Sequence, residues 1–133
     1  MTRIIRATEY RFVIPGPAIS FRSPKSGSYK RLVRRIAKGV FPSRVSSLPQ
    51  VVFLDYFHRS RRRVDVDNVA KCVLDALNGL AYKDDQQVRV QATEAHDLRE
   101  SFILPVGPVD LIKPLRSYPE YLFVRVRLEQ TRA

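Results

Sequence analysis

Apolar and polar residues alternate at both ends of the chain. Tyr10, Phe12 and Ile14 are interleaved with Arg11 and Val13, and Leu122, Val124, Val126 and Leu128 with Phe123, Arg125 and Arg127. A period of two predicts a strand at each place, the first one stopped by Pro15-Gly16-Pro17. Val88, Val90 and Ala92 alternate in the same way with Arg89, Gln91 and Thr93, so a third strand is expected shortly after Asp84-Asp85. Val51 to Phe57 is instead an almost unbroken run of β-formers and reads as a buried strand.

Two segments change period. From Ser28, a candidate N-cap, the residues Tyr29, Leu32, Val33, Ile36, Ala37 and Val40 recur at the spacing of one helical face, with Gly39 near the expected end. Val69, Cys72, Val73, Ala76, Leu77 and Leu80 repeat that spacing, and Asn78-Gly79 supplies a stop. The stretch from Ser20 to Ser28 is polar and turn-rich. Residues 97–120 contain Pro105, Pro108, Pro114 and Pro119 and should be irregular, with at most a short edge strand around Phe102 to Leu104. The order strand, helix, strand, helix, strand, strand predicts an α+β fold: a small, mostly antiparallel or mixed β-sheet packed against two α-helices, formed by residues 1–133 as a single domain.

Charge adds a partner to this picture. Against 13 Asp and Glu stand 24 Lys and Arg, a formal net charge of +11, which suits a polyanion such as nucleic acid. No acidic residue occurs between Tyr10 and Leu54, while the polar face of the first helix carries Lys30, Arg31, Arg34, Arg35 and Lys38. These five, with Arg59, Arg61, Arg62 and Arg63, are the candidate phosphate contacts. No bilayer-length apolar run and no signal-like segment after Arg3 and Arg6 are present, so a soluble cytoplasmic protein without a membrane partner is expected. The single cysteine, Cys72, falls on an apolar helix face and should be core; His58 and His96 are isolated and read as structural or surface residues. With no Cys/His set for structural zinc, any metal should be held mainly by oxygen.

The carboxylates are concentrated where the basic residues stop. Asp65 and Asp67 are two apart and, in a chain still extended on entering the second helix, point to one side. Asp67, Lys71 and Asp75 follow at helical spacing opposite the apolar face. Gly79 turns the chain back, so that Asp84 or Asp85 can return beside the first two. Asp65, Asp67 and one of that pair would supply the few carboxylate oxygens that magnesium, a hard octahedral ion, takes from protein. Such a site hydrolyses phosphodiesters, with Lys71 near the developing charge. A plainer reading stands beside it: Asp67 or Asn68 caps the helix, Lys71 pairs with Asp67 or Asp75, Asp75 is a solvated ridge residue and Asp84 a turn residue. In that case the chain is a non-catalytic basic nucleic-acid-binding protein. No glycine-rich phosphate loop or nucleophile motif suggests a small-molecule cofactor.

The run Arg-Arg-Arg-Val-Asp-Val-Asp-Asn-Val-Ala-Lys-Cys-Val-Leu-Asp-Ala-Leu-Asn-Gly, followed by Tyr-Lys-Asp-Asp-Gln-Gln-Val, resembles the RusA family of Holliday junction resolvases. The resemblance covers Arg61 to Val88 well, echoes weakly over Phe12 to Lys38, and fades in the C-terminal third. It implies a homodimer that binds four-way DNA junctions and nicks two opposing strands with one or two magnesium ions. It also implies Asp65, Asp67 and Asp85 as the catalytic and metal-binding carboxylates, Asp85 being preferred to Asp84 on the family match alone, and Lys71 as the functional lysine. A metal-dependent nuclease of other structure specificity is the alternative within the same chemistry.

Overall fold

The computed structural model describes residues 8–59, 64–99 and 117–129. Its elements are β1 (Thr8–Pro15), α1 (Ser26–Lys38), β2 (Gln50–His58), α2 (Val66–Ala76), a single 3-10 turn (Asp85–Gln87), β3 (Val88–Asp97) and β4 (Tyr121–Leu128). The strands form one mixed sheet in the order β1-β4-β2-β3. β4 runs antiparallel to both β1 and β2, whereas β2 and β3 are parallel, joined through α2. This is the expected α+β class, in its mixed form. The expected short strand around Phe102 to Leu104 lies outside the described residues.

Both helices cover one face of the sheet. Val33 and Ala37 of α1 and Cys72, Val73 and Ala76 of α2 are buried with Leu54, Tyr56, Leu122, Val124 and Val126 from the strands. The sheet's opposite face holds a smaller cluster of Phe57, Tyr121 and Phe123, all nearly inaccessible to solvent. Alternation along β2 therefore serves two layers, which explains its almost continuous burial. Cys72 belongs to the core, as its spacing predicted.

The helix starts differ from expectation. α1 begins at Ser26 after a loop already wound into turns by the bonds Ser23 N–H to Ser20 carbonyl and Ser26 N–H to Ser23 carbonyl. Its cap position is Lys25, with no side-chain cap. Ser28 is inside the helix, where its hydroxyl accepts from Arg31. In α2 the cap is Asp65, not Asp67 or Asn68. The Asp65 carboxylate accepts from the Asn68 backbone N–H at 3.3 Å and from the Asn68 side-chain amide at 2.6 Å. Beyond α2, Gly79 takes φ +81°, a left-handed conformation that side-chain-bearing residues rarely adopt, and turns the chain towards β3. Pro15-Gly16 ends β1 as predicted, with Gly16 also at positive φ.

Candidate acidic site

The α2 helix places Asp67, Lys71 and Asp75 on one exposed ridge, at successive turns. The turn after Gly79 carries Asp85 against that ridge, and Gln91 of β3 closes the floor. Together Asp67, Ala70, Lys71, Leu74, Asp75, Asp85 and Gln91 line a cleft of about 320 Å³. Two anchors fix the Asp85 turn. The Tyr82 hydroxyl donates to the Leu74 carbonyl at 2.5 Å, tying the turn to α2. The Gln87 amide donates to the Ser46 and Leu48 carbonyls at 3.0 Å, while its oxygen accepts from the Lys83 and Asp84 backbone N–H groups.

Asp84 and Asp85 are divided in role by this turn. The Asp84 carboxylate accepts from Gln86 N–H and completes a capping box, leaving Asp85 to face the cleft. Partial desolvation raises the Asp85 carboxyl above the ordinary carboxylate range. The neighbouring Asp84 and Asp75 carboxylates raise it further, and the Asn78 side chain acts in the opposite sense. Asp67, Asp75 and Asp85 each offer oxygen donors to this cleft, the kind that a hard divalent cation takes. The donor chemistry fits magnesium.

Asp65 lies elsewhere. It lines a neighbouring cavity of about 400 Å³ whose walls include Pro17, Ile19, Tyr56, Val69 and Glu120. The expectation that Asp65 and Asp67 share one side assumed extended backbone between them. Because α2 already starts at Val66, two residues rotate the side chain by roughly 200° about the helix axis instead. Asp75, set apart in the sequence as a ridge residue, lines the cleft and pairs with Lys30 of α1 at 3.7 Å. Lys71 forms no ion pair with Asp67 or Asp75 among the described residues; its ammonium lies over the Phe21 ring.

The basic residues separate into groups. Arg31, Arg35 and Lys38 are exposed along α1. The Lys30 ammonium also lies over the Phe21 ring, 4.7 Å from its centre, and pairs with Asp75 of the cleft. Arg34 points inward, donating to the carbonyls of Ala76 and Asn78 at 2.8 Å each and so capping the end of α2. Arg59 is exposed, and its backbone N–H donates to Glu120. Arg61, Arg62 and Arg63 lie outside the described residues.

A second group of donors went unnoticed in the sequence. Asp55, Glu94 and His96 each offer one ligand atom, all within 4.8 Å of one another, a set that could hold a metal ion. It lies on the face of the sheet away from the helices, where His96 stacks on Phe57 with ring centres 4.8 Å apart. The available signal was Asp55 itself, a lone charge inside the apolar run of β2.

The fold and cleft define an α+β scaffold, basic overall, with three carboxylates lining one cleft between a helix and a turn. The family model described as Endodeoxyribonuclease RusA matches residues 16–100, and the chain belongs to that family. The matched span contains α1, β2, α2, the Asp85 turn and β3, and leaves out β1 and β4. Family membership implies an endodeoxyribonuclease of the kind that resolves Holliday junctions. No match was found among curated proteins. No helix among the described residues is long and apolar enough to cross a membrane.

Proposed function

We propose that this protein is a magnesium-dependent endodeoxyribonuclease that resolves four-way DNA junctions by hydrolysing phosphodiester bonds in two opposing strands. It works in the cytoplasm as a homodimer of single-domain protomers, one acidic site to each. The observation that carries this reading is the convergence of Asp67, Asp75 and Asp85 with Lys71 in one exposed cleft beside a helix studded with cations.

Asp67 and Asp85 are the principal ligands in this proposal; Asp65, which the family pattern would add as a third, caps α2 and lines the neighbouring cavity instead. Bound magnesium would lower the pKa of water to make a nucleophile and offset charge on the leaving oxygen. The protein's own residues do the rest. Desolvation first, and the neighbouring Asp84 and Asp75 carboxylates after it, raise the Asp85 carboxyl, and a bound cation would favour its charged form. Lys71 places an ammonium at the rim, where it can donate to non-bridging phosphate oxygens as charge develops. Arg31, Arg35 and Lys38 draw the DNA backbone along α1. A junction presents strands related by approximate two-fold symmetry, which two sites in a C2 dimer can cut as a pair.

The experiment is incubation of purified protein with a synthetic four-way junction and with a matched linear duplex, each with magnesium or EDTA. Symmetric, magnesium-dependent nicks confined to the junction are expected. Equal cutting of both substrates would remove the junction specificity. Tight binding without cleavage under any divalent metal would leave a basic DNA-binding module.

A further inference from the structure

We propose that Asp55, Glu94 and His96 form a structural site for a transition metal, zinc by its donor chemistry, on the sheet face opposite the acidic cleft. The three residues come from adjacent parallel strands. Asp55 and Glu94 are register partners across β2 and β3, and His96 follows two residues on, beside Phe57. Partners across a ladder share a face, so all three side chains leave the sheet on the same side. Gln91, which floors the acidic cleft, has the opposite parity to Glu94 and faces the helices.

Burial of the pair is what needs explaining. Asp55 is 5% exposed and His96 6% exposed, within a sheet face that otherwise packs Phe57, Tyr121 and Phe123. His96 Nε2 lies 2.8 Å from Asp55 Oδ1 and 3.7 Å from Glu94 Oε2. Metal–nitrogen and metal–oxygen bonds of about 2.0–2.2 Å place tetrahedral ligand atoms roughly 3.3–3.5 Å apart. One separation must therefore open by about half an ångström and the other close slightly, adjustments within the reach of side-chain torsions. The third pair, Asp55 and Glu94, lies within 4.8 Å and is brought to the same spacing by the exposed Glu94 side chain. The metal would take the position of the proton now held between His96 and Asp55, and a water would complete the tetrahedron. Arg125 stands 3.7 Å from the other Asp55 oxygen, Oδ2, and can balance that carboxylate without occupying Oδ1.

One imidazole with two carboxylates suits zinc, cobalt or manganese better than magnesium, which seldom takes nitrogen ligands. The site's role follows from topology. Among the described residues β3 pairs with β2 alone, and its N-terminal end supports Asp85 and Gln91. A metal clasp at the other end would pin that strand to the sheet centre.

The test uses full-length protein stripped of metal and titrated with cobalt(II), which shows intense visible bands when tetrahedral. Wild type, Asp67→Asn, His96→Ala and Glu94→Gln are compared, and zinc affinity is measured against a chromophoric chelator. The wild type and Asp67→Asn should show the same tetrahedral spectrum at one equivalent. His96→Ala should lose it. Glu94→Gln, an exposed change that spares the core, keeps the test meaningful should His96→Ala fail to fold, and it should bind zinc at least about tenfold more weakly. No tetrahedral spectrum in the wild type overturns the proposal, as does one that survives Glu94→Gln unweakened. Loss of the spectrum in Asp67→Asn would assign the metal to the acidic cleft instead.

Discussion

The Lys71 ammonium lies 4.3 Å from the centre of the Phe21 ring, so the candidate functional lysine is held by an aromatic face rather than by a carboxylate. Phe21 is itself anchored, its backbone N–H donating to the Asn68 carbonyl at 3.0 Å at the first turn of α2. With no carboxylate partner among the described residues, the charge of Lys71 is left for phosphate. An exposed cation–π contact is worth about 0.5–1 kcal/mol, so Phe21→Leu should slow junction cleavage by roughly two- to fivefold. Phe21→Tyr should retain the rate, because the ring is kept. Single-turnover cleavage at saturating junction measures this, and equal rates for Phe21→Leu and the wild type would remove the ring from the positioning of Lys71.

Asp65 and Asp67 should separate by kind of damage. Asp65→Ala removes the α2 cap and should lower stability by about 0.5–2 kcal/mol, whereas Asp65→Asn, another good cap, should retain most of it. Asp67→Asn loses no cap and should fold as the wild type does, yet fail to cleave. Urea unfolding beside the cleavage assay checks all three. Substantial unfolding of Asp67→Asn would move that residue from chemistry to structure.

Arg34 and Arg35, neighbours on α1, should behave as opposites. Arg34→Ala strands the carbonyls of Ala76 and Asn78, and should destabilise the fold by roughly 1–3 kcal/mol. Arg35 is exposed, so Arg35→Ala should leave stability within about 0.5 kcal/mol. Its effect should fall on DNA affinity, with a salt dependence shallower by about one unit of slope. Binding isotherms at several salt concentrations test this, and an unchanged slope would take Arg35 off the DNA-facing surface.

Alkaline pH should unfold the protein through its buried phenols. Burial raises Tyr29 and Tyr82 above their ordinary range and pushes Tyr121 up from 10.0 to about 12. Below pH 10 folded and unfolded chains both keep these protons, and their contribution to stability is fully present. As pH rises from about 10 towards 12 the unfolded chain ionises first, so stability falls across that window. Denaturant midpoints, with tyrosinate absorbance as the proton count, follow the change. Midpoints that stay level from pH 10 to 12 would refute it.

Much of this protein is legible in short-range pattern. The period of two located β1, β3 and β4, the helical period located both helices, and the spacing of Asp67, Lys71 and Asp75 fixed their common ridge, because each depends on residues within a turn or two. The motif around Asp65 to Asp85 also carried the family, which the match over residues 16–100 bears out. Where α2 begins was less legible: its start at Val66 made Asp65 the cap and turned Asp65 and Asp67 towards different cavities. Helix ends are decided by competition among several possible caps, and the winner depends on how the helix packs.

Other features belong to tertiary structure alone. The inward turn of Arg34 needs the end of α2, more than forty residues away, and the role of Gln87 needs the loop before β2. Asp55 meets Glu94 and His96 because β2 and β3 pair in parallel across the α2 crossover. Side-chain alternation along each strand is local and was readable. Register between strands is not: it is set by which buried faces fit together, and a one-residue slip would have sent Glu94 and His96 to the other side of the sheet.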